Sequence, residues 1–176
     1  MTRVALFLPN LAGGGAERVM VNLARGLCDD GVAVDLVLAA AEGPNLDHVD
    51  HRVRLVDLHC RRVLQSLPKL ERYLRRERPM GILSAIHHAN LAALWARRWS
   101  GVPLRVVVSI HSTMSRALAM TASRRERIIA RLVGRAYRTA DGIVAVSRGV
   151  ADDFARVTGL PRERITVIYN PIVTSK

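Results

Sequence analysis

The stretch LPNLAGGGAERVM, residues 8–20, places three consecutive glycines between a short apolar run and a helical pattern. Glycines let a backbone approach a ligand closely, and the unpaired N–H groups of a following helix end favour negative charge. Gly13, Gly14 and Gly15 are therefore candidate binding residues for a phosphate or a polar sugar, with a plain tight turn as the alternative. A second group of candidates follows two later apolar runs. His88 and Asn90 come just after Ile82–Ile86, and His111 and Ser112 just after Val106–Ile110. A histidine in such a place can orient a substrate or answer developing charge, or it can merely satisfy a strand end. The Ser112 hydroxyl can bond a substrate hydroxyl or phosphate, or cap the next loop. Glu17 falls in a first helical turn, where a carboxylate complements the helix dipole. The chain offers neither paired carboxylates nor metal-ligand spacing, so no protein-bound metal is expected. Cys28 and Cys60 stand far apart and read as two reduced thiols.

Those candidates need a frame, and hydropathy supplies one. Val4–Leu8, Val32–Leu38, Val53–Leu58, Ile82–Ile86, Leu104–Ile110, Ile143–Val146 and Ile165–Tyr169 read as strands. Several are continuously apolar, as parallel strands buried on both faces are. Between them, Ala16, Val19, Met20, Leu23 and Leu27 recur at helical spacing. Further helices are predicted over Leu67–Glu77, Asn90–Trp99 and Arg124–Tyr137, and one is capped by Ser147. Strands alternating with helices predict a doubly wound, mostly parallel α/β sheet in a single three-layer domain. In such a sheet ligands sit beyond the carboxyl ends of the strands, where the first strand-to-helix loop and His111 fall.

Other chemistries fit less well. A dinucleotide fingerprint would need a third glycine where Arg18 stands, and an acid at the end of the next strand, whereas Asp35 lies inside it. A phosphate-binding Walker loop would need Gly-Lys-Ser/Thr, which does not follow. The 176 residues carry a net charge of +12, almost all from arginine, which favours an anionic partner. Aromatic content of 4% leaves few stacking platforms for nucleic acid, making it an unlikely partner. Arg124, Arg127, Arg131, Arg135 and Arg138 cluster within an arc of about 80° on their helix, opposite Ile128, Ile129, Leu132, Val133, Ala136 and Tyr137. That helix either rests on an anionic membrane or packs its apolar side inward; Arg131 is also a candidate for a phosphate on a substrate. No apolar run reaches the roughly 20 residues of a membrane span. The first residues hold too short an apolar run for a secretory signal. A cytoplasmic protein is expected, with the inner face of the cell membrane as a candidate surface.

With these segments in view, the sequence resembles the N-terminal half of family 4 glycosyltransferases, the retaining enzymes of the GT-B architecture. GGGAERVMVNLARGL (13–27), HHANLAALWARR (87–98), VVVSIHST (106–113), DGIVAVSRGVADDF (141–154) and LPRERITVIYNPIV (160–173) carry the resemblance in order across nearly the whole chain. It implies two Rossmann-like domains facing across a cleft, the first holding the acceptor and the second the nucleotide-sugar donor. Residues 1–170 would be the acceptor-binding domain and 171–176 the start of the crossover into a second domain. By the same resemblance His111 would contact the transferred sugar as an orienting, electrostatic residue rather than a base. Gly14 and Gly15 would line the acceptor and diphosphate side, and Asn170 would touch the second domain. The resemblance implies no cofactor bound by this domain and no activity from it alone. A non-catalytic partner subunit, a basic nucleic-acid module and an NAD(P)-binding domain are the alternatives.

Overall fold

Seven short apolar segments become the strands β1 (Arg3–Leu8), β2 (Ala33–Leu38), β3 (Arg54–Asp57), β4 (Gly81–Ala85), β5 (Arg105–Ile110), β6 (Gly142–Ala145) and β7 (Ile165–Val167). They are seen in a computed structural model that describes residues 3–115 and 124–170, with backbone alone for 124–127. All six pairings are parallel, and the strands lie in the order β3-β2-β1-β4-β5-β6-β7. The helices are α1 (Gly15–Asp29), α2 (Leu67–Glu77), α3 (His87–Ser100), α4 (Arg124–Tyr137) and α5 (Arg148–Thr158).

Alternation along β1 divides the core into two. Leu6 and Leu8 meet Met20, Val21 and Ala24 of α1 on one face. Ala5 and Phe7 belong to the other, where Leu70 and Leu74 of α2, Ala92, Ala93 and Ala96 of α3, and Phe154 of α5 pack. The α1 and α3 helices thus leave neighbouring strands toward opposite faces. Their starting loops diverge above β1 and β4, the point at which the strand order reverses and a doubly wound sheet opens a crevice.

Three differences from the sequence reading bear on the site and on α4. The α3 helix begins at His87, not Asn90, because Ile86 turns the chain at φ +76° and its carbonyl accepts the Asn90 N–H at 2.9 Å. The last strand stops at Val167, and Ile168 and Tyr169 are exposed. On α4 the buried stripe is narrower than the apolar arc, holding Ala130, Val133 and Tyr137, while Ile128, Ile129 and Leu132 face outward beside Arg131, Arg135 and Arg138. Gly134 lets α4 approach α5, since a Cβ there would lie 2.5 Å from the Thr158 carbonyl oxygen. The side chains of Arg124 and Arg127, and the 171–176 segment expected to begin the crossover, lie outside the described residues.

Asp35 has a structural task. It is 1% exposed and takes a two-pronged contact from Arg54, at 2.9 and 2.5 Å, while the Tyr73 hydroxyl donates to it at 2.6 Å. Arg54 and Arg3 reach on to Glu77 at 2.7 and 2.9 Å. The hydrogen bonds from Arg54 to Asp35 and Glu77 hold its guanidinium above the usual range. This network ties the amino-terminal parts of β1, β2 and β3 to α2, at the end of the sheet opposite the crevice.

Candidate functional site

The β1–α1 loop is shaped from below by the segment after β2. Ala40 N–H donates to Pro9 O at 3.0 Å, Leu11 N–H to Glu42 O at 2.9 Å, and Asn45 N–H to Leu11 O at 3.3 Å. Gly43 makes that approach feasible: at φ +115°, a Cβ on it would stand 2.2 Å from the Leu11 carbonyl oxygen. Gly13 completes the turn at φ +100°. Gly14 is the N-cap of α1 in extended conformation and has no side chain with which to occupy the first-turn N–H groups. A Cβ on Gly15 would meet nothing within 4 Å, so this position faces open space.

Above β1, β4, β5 and the end of β7 lies a cavity of about 300 Å³. Its walls are Gly15, Ala16 and Glu17 from α1, Ile86 and His87 at the start of α3, Ser109 and Ile110 at the end of β5 with His111 and Ser112 after it, and Asn170. The structure therefore brings together four predicted residues, Gly15, His111, Ser112 and Asn170. Gly13 and Gly14 shape the loop behind the wall.

Three predicted binding residues are placed elsewhere. Asn90 is fully buried, its amide nitrogen donating to Ser109 O and to the Tyr137 hydroxyl, both at 2.9 Å, and its oxygen accepting from Ser84 at 2.7 Å. With its donors and acceptor engaged, it fastens α3 to β4, β5 and α4 rather than meeting a substrate. His88, on the first turn of α3, is exposed and off the cavity wall. Arg131 is exposed on α4 and also off that wall. Ser147 is an N-cap: its hydroxyl accepts the Val150 N–H at 3.2 Å.

His111 is half-buried, with Nε2 at 2.9 Å from the Ser109 hydroxyl. Burial lowers its pKa, and the Glu17 carboxylate opposes that shift. His87, not His88, faces the cavity. Its ring stacks on Phe154 with centroids 5.8 Å apart, and Nδ1 lies 3.3 Å from the Tyr137 hydroxyl. Burial, with a smaller contribution from the nearby His88 charge, lowers the His87 pKa. Burial thus disfavours the charged form of both cavity histidines. The His87 Nε2 is buried with no hydrogen-bond partner among the described residues. Ile86, which aims it, is a β-branched residue at positive φ, a strained conformation of the sort that gathers at functional sites.

Among the described residues the wall holds no lysine or arginine. Its attraction for anions comes from the start of α1, and its directional groups are two histidines, two serines, an asparagine and one carboxylate. Among the described residues no group of three or more His, Cys, Asp or Glu could hold a metal ion. This inventory suits a polyhydroxylated ligand with one anionic end better than a free polyphosphate.

The same architecture appears in solved glycosyltransferase structures. Anabaena HepE, in complex with UDP, superposes with a TM-score of 0.67 at 18% identity, covering 98% of this chain and 44% of that one. The apo lipopolysaccharide outer core galactosyltransferase WaaB gives 0.69 at 15% identity, over 99% and 47%. Sucrose-phosphate synthase from Thermosynechococcus elongatus gives 0.69 at 16% identity, over 96% and 48%. The chain thus spans less than half the length of each and matches one Rossmann-like half of the GT-B fold. No curated protein matches it by sequence. The family model for Glycosyltransferase Family 4 matches residues 13–176, and the chain belongs to that family.

Proposed function

We propose that this chain is the acceptor-side half of a glycosyltransferase that moves a sugar from a nucleotide-diphosphate sugar to a polysaccharide, lipid-linked or small-molecule acceptor with retention of configuration. The observation that carries the reading is the cavity at the β1/β4 reversal, where Gly15, His111, Ser112 and Asn170 converge. In the proposed reaction the bond from the sugar's anomeric carbon to the diphosphate oxygen breaks as the acceptor oxygen bonds to that carbon. The acceptor proton passes to the departing diphosphate. Among the described residues one carboxylate and two histidines line the wall, and His111 serves to orient and to answer charge. The missing cations for the diphosphate would come from a second Rossmann-like domain. Residues 1–170 form the acceptor domain in this reading, and 171–176 begin the crossover.

Such a half is inactive alone. The purified chain is expected to release no nucleoside diphosphate from UDP-, GDP- or TDP-sugars in the presence of lipid-linked or oligosaccharide acceptors. Turnover by the isolated chain would end the half-enzyme reading.

A membrane-facing surface is a second element of the proposal. Ile128, Ile129 and Leu132 are 54%, 41% and 54% exposed on α4 beside three arginines, and Trp95 and Trp99 are exposed on α3. Apolar and aromatic side chains set among cations suit an anionic lipid surface, here on the inner face of the cell membrane. Among the described residues no helix is long and apolar enough to cross a membrane.

A further inference from the structure

Glu17 stands third in α1, where a glutamate ordinarily complements the helix dipole from a solvated position. Here it is only 8% exposed and forms part of the cavity wall beside His111. Its carboxylate folds back over Gly14, so that a Cβ on Gly14 would lie 2.3 Å from Oε2. Among the described residues no cation pairs with it and no N–H or O–H donates to it. A carboxylate on the cavity wall with no partner among the described residues is open to a ligand, and an ionised one can only accept hydrogen bonds. The groups that satisfy it must be donors, and a second negative charge beside it is repelled. A fully ionised phosphate fails both tests, whereas a sugar hydroxyl passes both.

We infer that Glu17 is a substrate-binding residue that accepts a hydrogen bond from a hydroxyl of the sugar held in the cavity. Its charge keeps the anionic end of the ligand away from this part of the wall and so fixes which way the ligand lies. The inference rests on the cavity being the sugar-transfer site.

The test follows backbone amides of Gly14, Gly15 and Ser112 by NMR while the 176-residue chain is titrated with inorganic phosphate and with the 1-phosphates of glucose, galactose, mannose and N-acetylglucosamine. For the wild-type chain at least one hexose 1-phosphate is expected to bind more tightly than phosphate. In Glu17→Ala the ratio of those two affinities falls about tenfold, the size expected for a charge-assisted hydrogen bond, while phosphate alone binds more tightly. Glu17→Gln keeps the shape of the side chain and shows the same changes at smaller size, and it stands in if the alanine variant does not fold. An unchanged ratio, or a wild-type chain that binds no hexose 1-phosphate better than phosphate, overturns the role of Glu17. If the wild-type amides respond to no probe, the cavity itself has been misread and the inference falls with it.

Discussion

Gly15 is the residue at which fold and function separate most cleanly. A side chain there meets nothing within 4 Å, yet the position lines the cavity. Gly15→Val is expected to leave the thermal midpoint within about 2 °C, since one β-branched residue at a helix start costs well under 1 kcal/mol. The same change should abolish hexose 1-phosphate shifts at Ser112. Retained binding would return the glycine loop to being a turn. The histidines give a pH dependence. Burial lowers the folded-state pKa of His87 and His111 below the ordinary 6.5, so the unfolded chain binds the proton more readily. Their contribution is fully present above pH 6.5 and is lost as pH falls through the unfolded value toward the folded one, by at most about 1.4 kcal/mol per pH unit for each group. Urea unfolding between pH 7 and pH 5 checks this, and His87→Gln should flatten the slope. Which residue faces the cavity was only partly legible in the sequence. His111 and Ser112 could be placed because an apolar run ends just before them. His87 could not be told from His88, because neighbours on a helix differ by about 100° and the start of α3 was unknown. Asn90 misled because a polar residue after a strand looks the same whether it faces a ligand or, as here, knits four elements together.

Among the elements, the strands were legible because parallel strands buried on both faces are continuous apolar runs. The start of α3 was hidden by Ile86, since nothing in an isoleucine announces a positive φ. Gly43 was hidden for a related reason: its partner, Leu11, lies 32 residues away, too distant for a local pattern to reveal. Gly43→Ala should cost about 2 kcal/mol or more in urea unfolding and displace the amides of residues 10–14, because both its φ and the Leu11 carbonyl oppose a side chain. A neutral substitution would show that the 39–45 segment does not shape the glycine loop. At the other end of the sheet, Asp35→Ala leaves Arg54 and Tyr73 without their buried acceptor and should cost about 3 kcal/mol. A loss below about 1 kcal/mol would reduce the network to decoration.

At the scale of the whole molecule, charge and shape point to two different surfaces. The strand ends form the cavity, while α4 exposes Ile128 and Leu132 and α3 exposes Trp95 and Trp99. The sequence alone left open whether that helix packs or docks, because its apolar arc was wide enough for both. Burial divides the arc, with one stripe serving the core and another facing outward. Liposomes containing about 30% phosphatidylglycerol should sediment the chain, and Leu132→Glu with Arg131→Glu should release it, each basic contact being worth roughly 1 kcal/mol. Equal binding to neutral and anionic vesicles would remove the membrane from the account.

The central claim is that the crevice at the β1/β4 reversal is where the ligand sits. It is tested most directly by mapping amide shifts over the whole chain on addition, at moderate salt, of the hexose 1-phosphate that binds most tightly. The account predicts changes confined to residues 14–17, 87 and 109–112, saturating together. Shifts spread over the exposed arginines of α2 and α4, with the glycine loop and His111 unmoved, would contradict it.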